Sequence, residues 1–275
     1  MQSVAIFPGG LEEEGVKELI NLGVESVQKI RGSVLFESDM NCFYRLHLQS
    51  RLPFRFLREI STFRCNDRQS LYLGIRNALD WSSWLTPSMS FRVDVTGSQR
   101  ALNHSHYTAL QVKNSIIDLQ QEIWGSRSNI NIKSPDLCLH LHLRNYEAIL
   151  SLDSTSHSLH RRGYRSAVGN APIKENLAAG LMRLSQWRPT QTLVDPLCGS
   201  ATFLIEAVSM ALGIAPGLGK KFLFENWADF DPKAWTKEQL LARSKENRDL
   251  VRGIRMNRNE RVDNFEKNIF NKIFK

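Results

Sequence analysis

The run Asp195-Pro196-Leu197-Cys198-Gly199-Ser200-Ala201-Thr202 constrains this chain more than any other stretch. It follows an apolar, strand-like segment, Thr192-Leu193-Val194, and opens a strongly apolar helical segment over residues 203–214. A carboxylate closing a strand, a turn of small residues and a helix N-terminus are how doubly wound α/β domains seat a nucleoside-type cofactor. The small residues let ligand atoms approach the backbone, and the N–H groups of the first helical turn attract a carboxylate or other anion. The run lacks the G-x-G-x-x-G spacing and the Lys of a phosphate-binding loop, which argues against a pyrophosphate ligand. It suits a cofactor with an anionic amino-acid end and a nucleoside, as S-adenosylmethionine has. A Gly-Ser turn that only caps a helix is the plainer alternative.

Bulk properties narrow the class. The 275 residues suffice for two or three compact units, and 42% hydrophobic with 23% charged residues is ordinary for a globular protein. No apolar stretch approaches the ~20 residues of a membrane helix. The N-terminus lacks the charged and apolar regions of a secretory signal. Cys42, Cys65, Cys138 and Cys198 are scattered without a CxxC pair, as reduced thiols are. A cytoplasmic protein without a membrane partner is expected. The formal net charge of +8 points to a polyanion, nucleic acid being the usual one. Residues 251–275 carry seven Lys/Arg against three acids, a net of +4, so half of the excess lies there.

Periodicity predicts a strand over residues 4–7, a helix over 11–22, strands over 24–30 and 33–37, and helices over 41–49 and 70–80. Strand–helix–strand–strand is the opening of a ferredoxin-like sheet. A strand at 91–95, an amphipathic helix at 108–123 and strands at 129–133, 137–143 and 148–153 follow. Residues 154–170 read as a polar, basic linker, and a helix with Pro172 near its start spans 171–184.

Other candidate chemistry is weighed against plainer readings. Cys138, His140 and His142 alternate with Leu137, Leu139, Leu141 and Leu143, so one strand face carries all three polar groups. Parallel side chains on one strand converge poorly on a metal, and no fourth ligand has suitable spacing, so no metal is expected. Arg45, Arg51, Arg55, Arg58, Arg64 and Arg68 read mostly as a solvated face, with phosphate binding the alternative. His104 and His106 follow Gly97-Ser98-Gln99-Arg100 in a polar loop, where nucleic-acid contact and plain solvation are even. His160-Arg161-Arg162-Gly163-Tyr164-Arg165 joins arginines to a stackable ring at a domain junction, which suits single-stranded or looped RNA.

At this point the chain resembles the THUMP-domain RNA methyltransferases, in particular the ribosomal RNA guanine-N2 branch. The resemblance rests on Pro8-Gly9-Gly10-Leu11-Glu12 with Arg31-Gly32-Ser33-Val34, on Leu159-His160-Arg161-Arg162-Gly163-Tyr164-Arg165, on Ala171-Pro172-Ile173-Lys174-Glu175-Asn176-Leu177-Ala178-Ala179, and on residues 195–202 with Ile214-Ala215-Pro216-Gly217-Leu218. It implies a mixed α/β and α+β architecture: a ferredoxin-like segment over 1–60, a THUMP RNA-binding domain over 61–155, a basic linker over 156–170 and a partial Rossmann-like methyltransferase domain over 171–275. It implies S-adenosylmethionine as cofactor and RNA, ribosomal RNA in particular, as partner. The expected cofactor residues are Asp195, Pro196, Cys198, Gly199, Ser200 and Thr202. The expected RNA contacts are Arg100, Arg161, Arg162, Tyr164 and Arg165.

Three departures qualify that expectation. Ala201 stands where the family usually has Gly. Arg255 stands where the family's second strand ends in an acid that holds the cofactor ribose, and arginine offers no acceptor. The family's Asn/Asp-Pro-Pro-aromatic catalytic motif is absent from the 275 residues. The chain is therefore expected to stop after about one and a half α/β units, with methyl transfer to guanine N2 requiring a completed domain. A non-catalytic RNA-binding module is the alternative.

Overall fold

In the computed structural model, which describes residues 1–155, 157–164 and 173–246, eight strands form one sheet in the order β2-β3-β1-β4-β8-β7-β5-β6. Its first half follows from local pattern. Strand β1 (Gln2–Ile6) leads through the turn at Gly10 into helix α1 (Glu12–Asn21), whose first turn holds Glu12, Glu13 and Glu14 where the helix dipole favours acids. Strands β2 (Ser26–Ile30) and β3 (Ser33–Glu37) form a hairpin around Arg31-Gly32, and helix α2 (Met40–Gln49) is capped by the Asp39 carboxylate, which accepts from Cys42 N. Glu12 ties these turns together, accepting from Gly10 N and from Gly32 N at 2.8 Å each. All pairings here are antiparallel, giving the expected ferredoxin-like unit.

The sequence pattern missed the strand that closes this unit. Strand β4 (Arg55–Arg64) pairs antiparallel with β1 along its first half and with β8 along most of its length. It runs across residue 60, so the sheet is continuous between the two expected units. A register shift between Glu59 and Ser61 changes which residues face the helices. Before it Phe56 packs against Phe43 of α2; after it Phe63 lies against Gly74.

The second half adds α3 (Arg68–Asn77), the short α4 (Trp81–Trp84), β5 (Ser90–Gly97), α5 (Ser105–Trp124), β6 (Asn129–Ile130), β7 (Leu137–Arg144) and β8 (Glu147–Asp153). Strand β5 is parallel to β6 and β7, and β7 is antiparallel to β8. Leu137, Leu139, Leu141 and Leu143 are buried, as the alternation predicted.

Residues 173–246 fold back onto the ferredoxin-like unit. They supply α6 (Glu175–Leu184), α7 (Thr202–Ala211), a 3₁₀ turn (Leu223–Asn226) and α8 (Pro232–Ser244). Phe222, Phe224, Trp227 and Trp235 join Phe43, Tyr44, His47 and Phe56 in one aromatic cluster, with Phe224 fully buried. Aromatic pairs in such edge and tilted arrangements each add about 0.5–1.5 kcal/mol beyond area burial. Gly217 marks the closest approach: a Cβ there would lie 2.1 Å from the His47 carbonyl oxygen. No helix of the described residues is long and apolar enough to cross a membrane.

The expected strand Thr192-Leu193-Val194 has no regular strand structure. A strand needs a ladder partner, and this segment joins none of the sheet's eight strands; Val194 is 75% exposed. The expectations resting on Arg165, Pro172, Arg255 and residues 251–275 lie outside the described residues.

His47 sits inside the aromatic cluster, its Nδ1 2.7 Å from Phe43 O and its Nε2 2.6 Å from Ser154 Oγ. Burial pushes its pKa down from 6.5 to about 3. The unfolded chain therefore takes up a proton near pH 6.5 that the folded chain refuses until about pH 3. Stability fully present above that window drains as pH falls through it, at about 1.4 kcal/mol per pH unit for this one group. His140, brought down to about 4 by burial, adds to the slope. Urea denaturation should show a markedly lower stability at about pH 5 than at about pH 7, and His47→Gln should flatten that difference.

Candidate cofactor loop and its anchorage

Helix α7 begins where the sequence placed a cofactor turn. Asp195 Oδ1 accepts from Leu197 N at 3.1 Å, closing an Asx turn, and Ala201 N donates to Cys198 O at 2.7 Å. Ser200 Oγ lies 3.1 Å from Thr202 Oγ1. Gly199 and Ala201 both have positive φ, +51° and +56°. Pro196, Cys198 and Gly199 are exposed, Asp195 and Ser200 half-buried, and Thr202 buried. No side-chain cap from the described residues sits on the α7 N-terminus, and a Cβ at Gly199 would meet only Leu197 O, at 4.0 Å. The turn therefore presents an uncrowded backbone at a positive helix end, with a carboxylate beside it, which fits the amino-acid end of S-adenosylmethionine.

The loop is anchored by buried charge. Glu206, one turn into α7, has a side chain only 2% exposed. Arg51 Nη1 lies 3.5 Å from its Oε2 and Arg162 Nε 3.6 Å from its Oε1, and the Tyr164 hydroxyl donates to Oε1 at 3.1 Å. Arg51 also donates to the Ser209 and Ile214 carbonyls at the far end of α7. A second buried carboxylate, Glu18 of α1, accepts from Arg51 N at 3.0 Å and Leu52 N at 3.2 Å and lies 3.5 Å from Arg183 of α6. Burial pushes the Glu18 carboxyl up and the Arg51 guanidinium down, in each case against the pull of opposite charges nearby. A cavity of about 190 Å³ adjoins the cluster, lined by Arg51, Arg162, Tyr164, Glu206 and Pro216 among others. Lys220 donates to Leu159 O at 3.1 Å, and burial brings its pKa down to about 8.

The expected RNA contacts separate. Arg100 and Arg161 are exposed. Arg162 turns inward: its side chain is 5% exposed and donates to Leu159 O and Arg51 O besides facing Glu206. Tyr164 is half-buried with its hydroxyl on Glu206. The reading of the arginines between residues 45 and 68 as mostly a solvated face is corrected. Arg45 forks onto Glu238, Arg51 meets Glu206, Arg55 meets Asp153, and Arg58 bonds Asp229 while lying over the adjacent rings of Trp84 and Trp227. Each acid lies roughly 100 to 190 residues away in sequence, so no local signal could reveal it.

Cys138, His140 and His142 share a strand face but do not converge. Both imidazoles approach Thr96 Oγ1, at 3.1 and 3.0 Å, and Cys138 Sγ lies 3.2 Å from Arg92 Nη2. Asp94, Cys138 and Asp153 offer donor atoms within 4.8 Å of one another. The guanidiniums of Arg92 and Arg55 already meet Asp94 and Asp153, at 3.1 Å each. A cation there would face two fixed positive charges. Burial pushes the Cys138 thiol up, away from the thiolate a metal needs.

The units follow one another as a ferredoxin-like unit, a second mixed sheet sharing β4 with it, and a helical segment that carries the 195–202 turn back onto the first unit. Family models match in the same order: the RlmL ferredoxin-like domain over residues 2–57, the THUMP domain over 69–153 and the RMKL-like methyltransferase domain over 162–267. The chain thus carries, in order, domains that match the ferredoxin-like, THUMP and methyltransferase models of RNA methyltransferases. It is 44% identical over 227 residues to a Synechocystis protein named as an RNA methyltransferase, slr0064, covering 82% of this chain and 59% of that protein. It is 40% identical over 246 residues to the ribosomal RNA large subunit methyltransferase K/L of Aliivibrio salmonicida, covering 89% of this chain and 35% of that protein. Among solved structures, it superposes with a TM-score of 0.79 and 30% identity on a Listeria monocytogenes protein named as an N6-adenine-specific DNA methylase, covering 90% of this chain and 65% of that one. SMU.472, crystallised with S-adenosylhomocysteine (SAH), superposes with a TM-score of 0.76 and 30% identity over 89% of this chain and 64% of that one.

The positive φ of Ala201 explains why glycine suits that position. A left-handed L-residue costs about 1–2 kcal/mol, against which glycine's extra unfolded freedom costs about 0.4–1 kcal/mol. Ala201→Gly is therefore expected to raise stability by roughly 0.5–1 kcal/mol in chemical denaturation, and to leave α7 in place.

Proposed function

We propose that this chain carries the RNA-binding and cofactor-loop portions of an S-adenosylmethionine-dependent ribosomal RNA methyltransferase whose target is guanine N2. The observation that carries the reading is the open turn at residues 195–202, held by buried charge to the unit that adjoins the THUMP sheet. Asp195, Gly199, Ser200 and Thr202, with Pro196 and Cys198 shaping the turn, are the residues that would hold the cofactor. When bound, the cofactor supplies an electrophilic methyl group. The chain's own residues orient it: the α7 N-terminus favours its carboxylate, and Gly199 admits it to the backbone. Direct methyl transfer depends mainly on such positioning. Arg100 and Arg161, both exposed, are the proposed phosphate contacts, and the inward Arg162 and Tyr164 shape the junction that presents Arg161. We divide the chain at residues 60, 155 and 170 as the family resemblance implies, with the sheet passing through the first boundary.

One observation favours a second reading, a non-catalytic RNA-binding module. Thr192-Leu193-Val194 pairs with no strand of the sheet, so the turn that follows lacks the strand a cofactor-seating loop usually leaves. Calorimetry with S-adenosylmethionine separates the two. Binding in the micromolar range that Asp195→Ala weakens by about tenfold or more, the loss of one charge-assisted contact, supports the first. No binding at millimolar cofactor, with RNA binding retained, supports the second. RNA affinity should fall steeply as salt rises, and Arg161→Ala should lower the slope by about one. Salt-independent binding would remove the RNA reading from both.

A further inference from the structure

Glu206 is buried in a way that the cofactor chemistry does not require. Carboxylates are almost never buried without partners, and this one draws its partners from two separate parts of the chain. Arg51 comes from the segment just past the ferredoxin-like unit's second helix, Arg162 and Tyr164 from the junction, and the acid itself from α7. Arg51 bonds at the middle and the far end of α7, so a single side chain spans the helix. Arg51 is itself fixed by its backbone: its N–H donates to Glu18 and its carbonyl accepts from Arg162. Thr202 and Glu206 stand four residues apart, one turn of the same helix face. Rotation or sliding of α7 would therefore break the Glu206 contacts and displace the turn that precedes it.

Apolar packing alone would hold a helix, and buried ion pairs seldom stabilise more than well-packed apolar side chains would. What directional charge contacts add is register. We propose that Glu206 is a positioning residue: through Arg51, Arg162 and Tyr164 it sets α7, and with it residues 195–202, at one orientation on the N-terminal unit. The proposal rests on reading that turn as the cofactor loop, and its test does not.

Cys198 is the one exposed cysteine of the four, so a spin label there reports on the turn directly. With a second label at Gln28→Cys, on the exposed face of β2, pulsed electron resonance on the full chain measures the separation. A single narrow distance distribution is expected. Glu206→Gln keeps the volume and an acceptor for Tyr164 but removes the charge shared by two arginines; it should broaden or shift that distribution while far-ultraviolet circular dichroism stays unchanged. Should that variant fail to fold, Tyr164→Phe supplies the milder form, with a smaller change in the same sense. An unchanged distribution in a folded Glu206→Gln protein, or in Tyr164→Phe where that variant is the one tested, would overturn the proposal. Calorimetry on the unlabelled wild type and Glu206→Gln proteins reads the other claim: a cofactor affinity about tenfold weaker in Glu206→Gln accords with both. An unlabelled wild type that ignores the cofactor removes the cofactor reading and leaves the distance result to decide the role of Glu206.

Discussion

Strand β4 is the element on which the rest of the structure depends. Its backbone is shared between two ladders, β1 on one edge and β8 on the other, so neither the ferredoxin-like nor the THUMP half has a free edge at their junction. Unpaired edges are costly or sticky, and pairing them with each other removes both problems at once. The same backbone receives the chain that follows: Ser154 N donates to Phe56 O and Leu159 N to Phe54 O. Its Arg58 side chain then meets the aromatic segment at residues 222–230, over the Trp227 ring and bonded to Asp229. The C-terminal segment that carries the turn at residues 195–202 is thus seated on a strand more than a hundred residues upstream.

Two kinds of force share that task. Aromatic burial supplies the energy, since removing a fully buried ring such as Phe224 typically costs about 3–5 kcal/mol. The buried charges act on geometry. Glu206 and Glu18 face Arg51, Arg162 and Arg183 at 3.5–3.6 Å, distances that satisfy charge without tight hydrogen bonds. Losing one partner from such a set leaves an uncompensated buried charge and costs about 3–5 kcal/mol, far more than the intact pair contributes. The arrangement therefore penalises every displaced orientation of α7 more than it rewards the native one.

Much of this was legible in the residues. The alternating leucines of β7, the amphipathic α5 and the acid-rich start of α1 are local patterns, and each element formed within a few residues of its expected place. The turn at 195–202 was also legible, because small residues and a helix start are local too. What stayed hidden was long-range. Strand β4 carries Arg55 and Arg58 among its apolar residues, so its alternation is broken by charges that distant acids neutralise. Arg162 looked like a surface cation because nothing near it in sequence announces Glu206. The strand expected at 192–194 shows the converse, since strand propensity without a ladder partner yields no strand.

The central claim is that residues 173–246 and the N-terminal sheet behave as one cooperative body. Amide exchange followed along a denaturant series tests it most directly, because it reports each segment's opening separately. The account predicts that α7, α8 and strands β1 and β4 lose protection together, at one midpoint. Loss of protection in α7 and α8 at denaturant concentrations that leave β1 and β4 intact would contradict it.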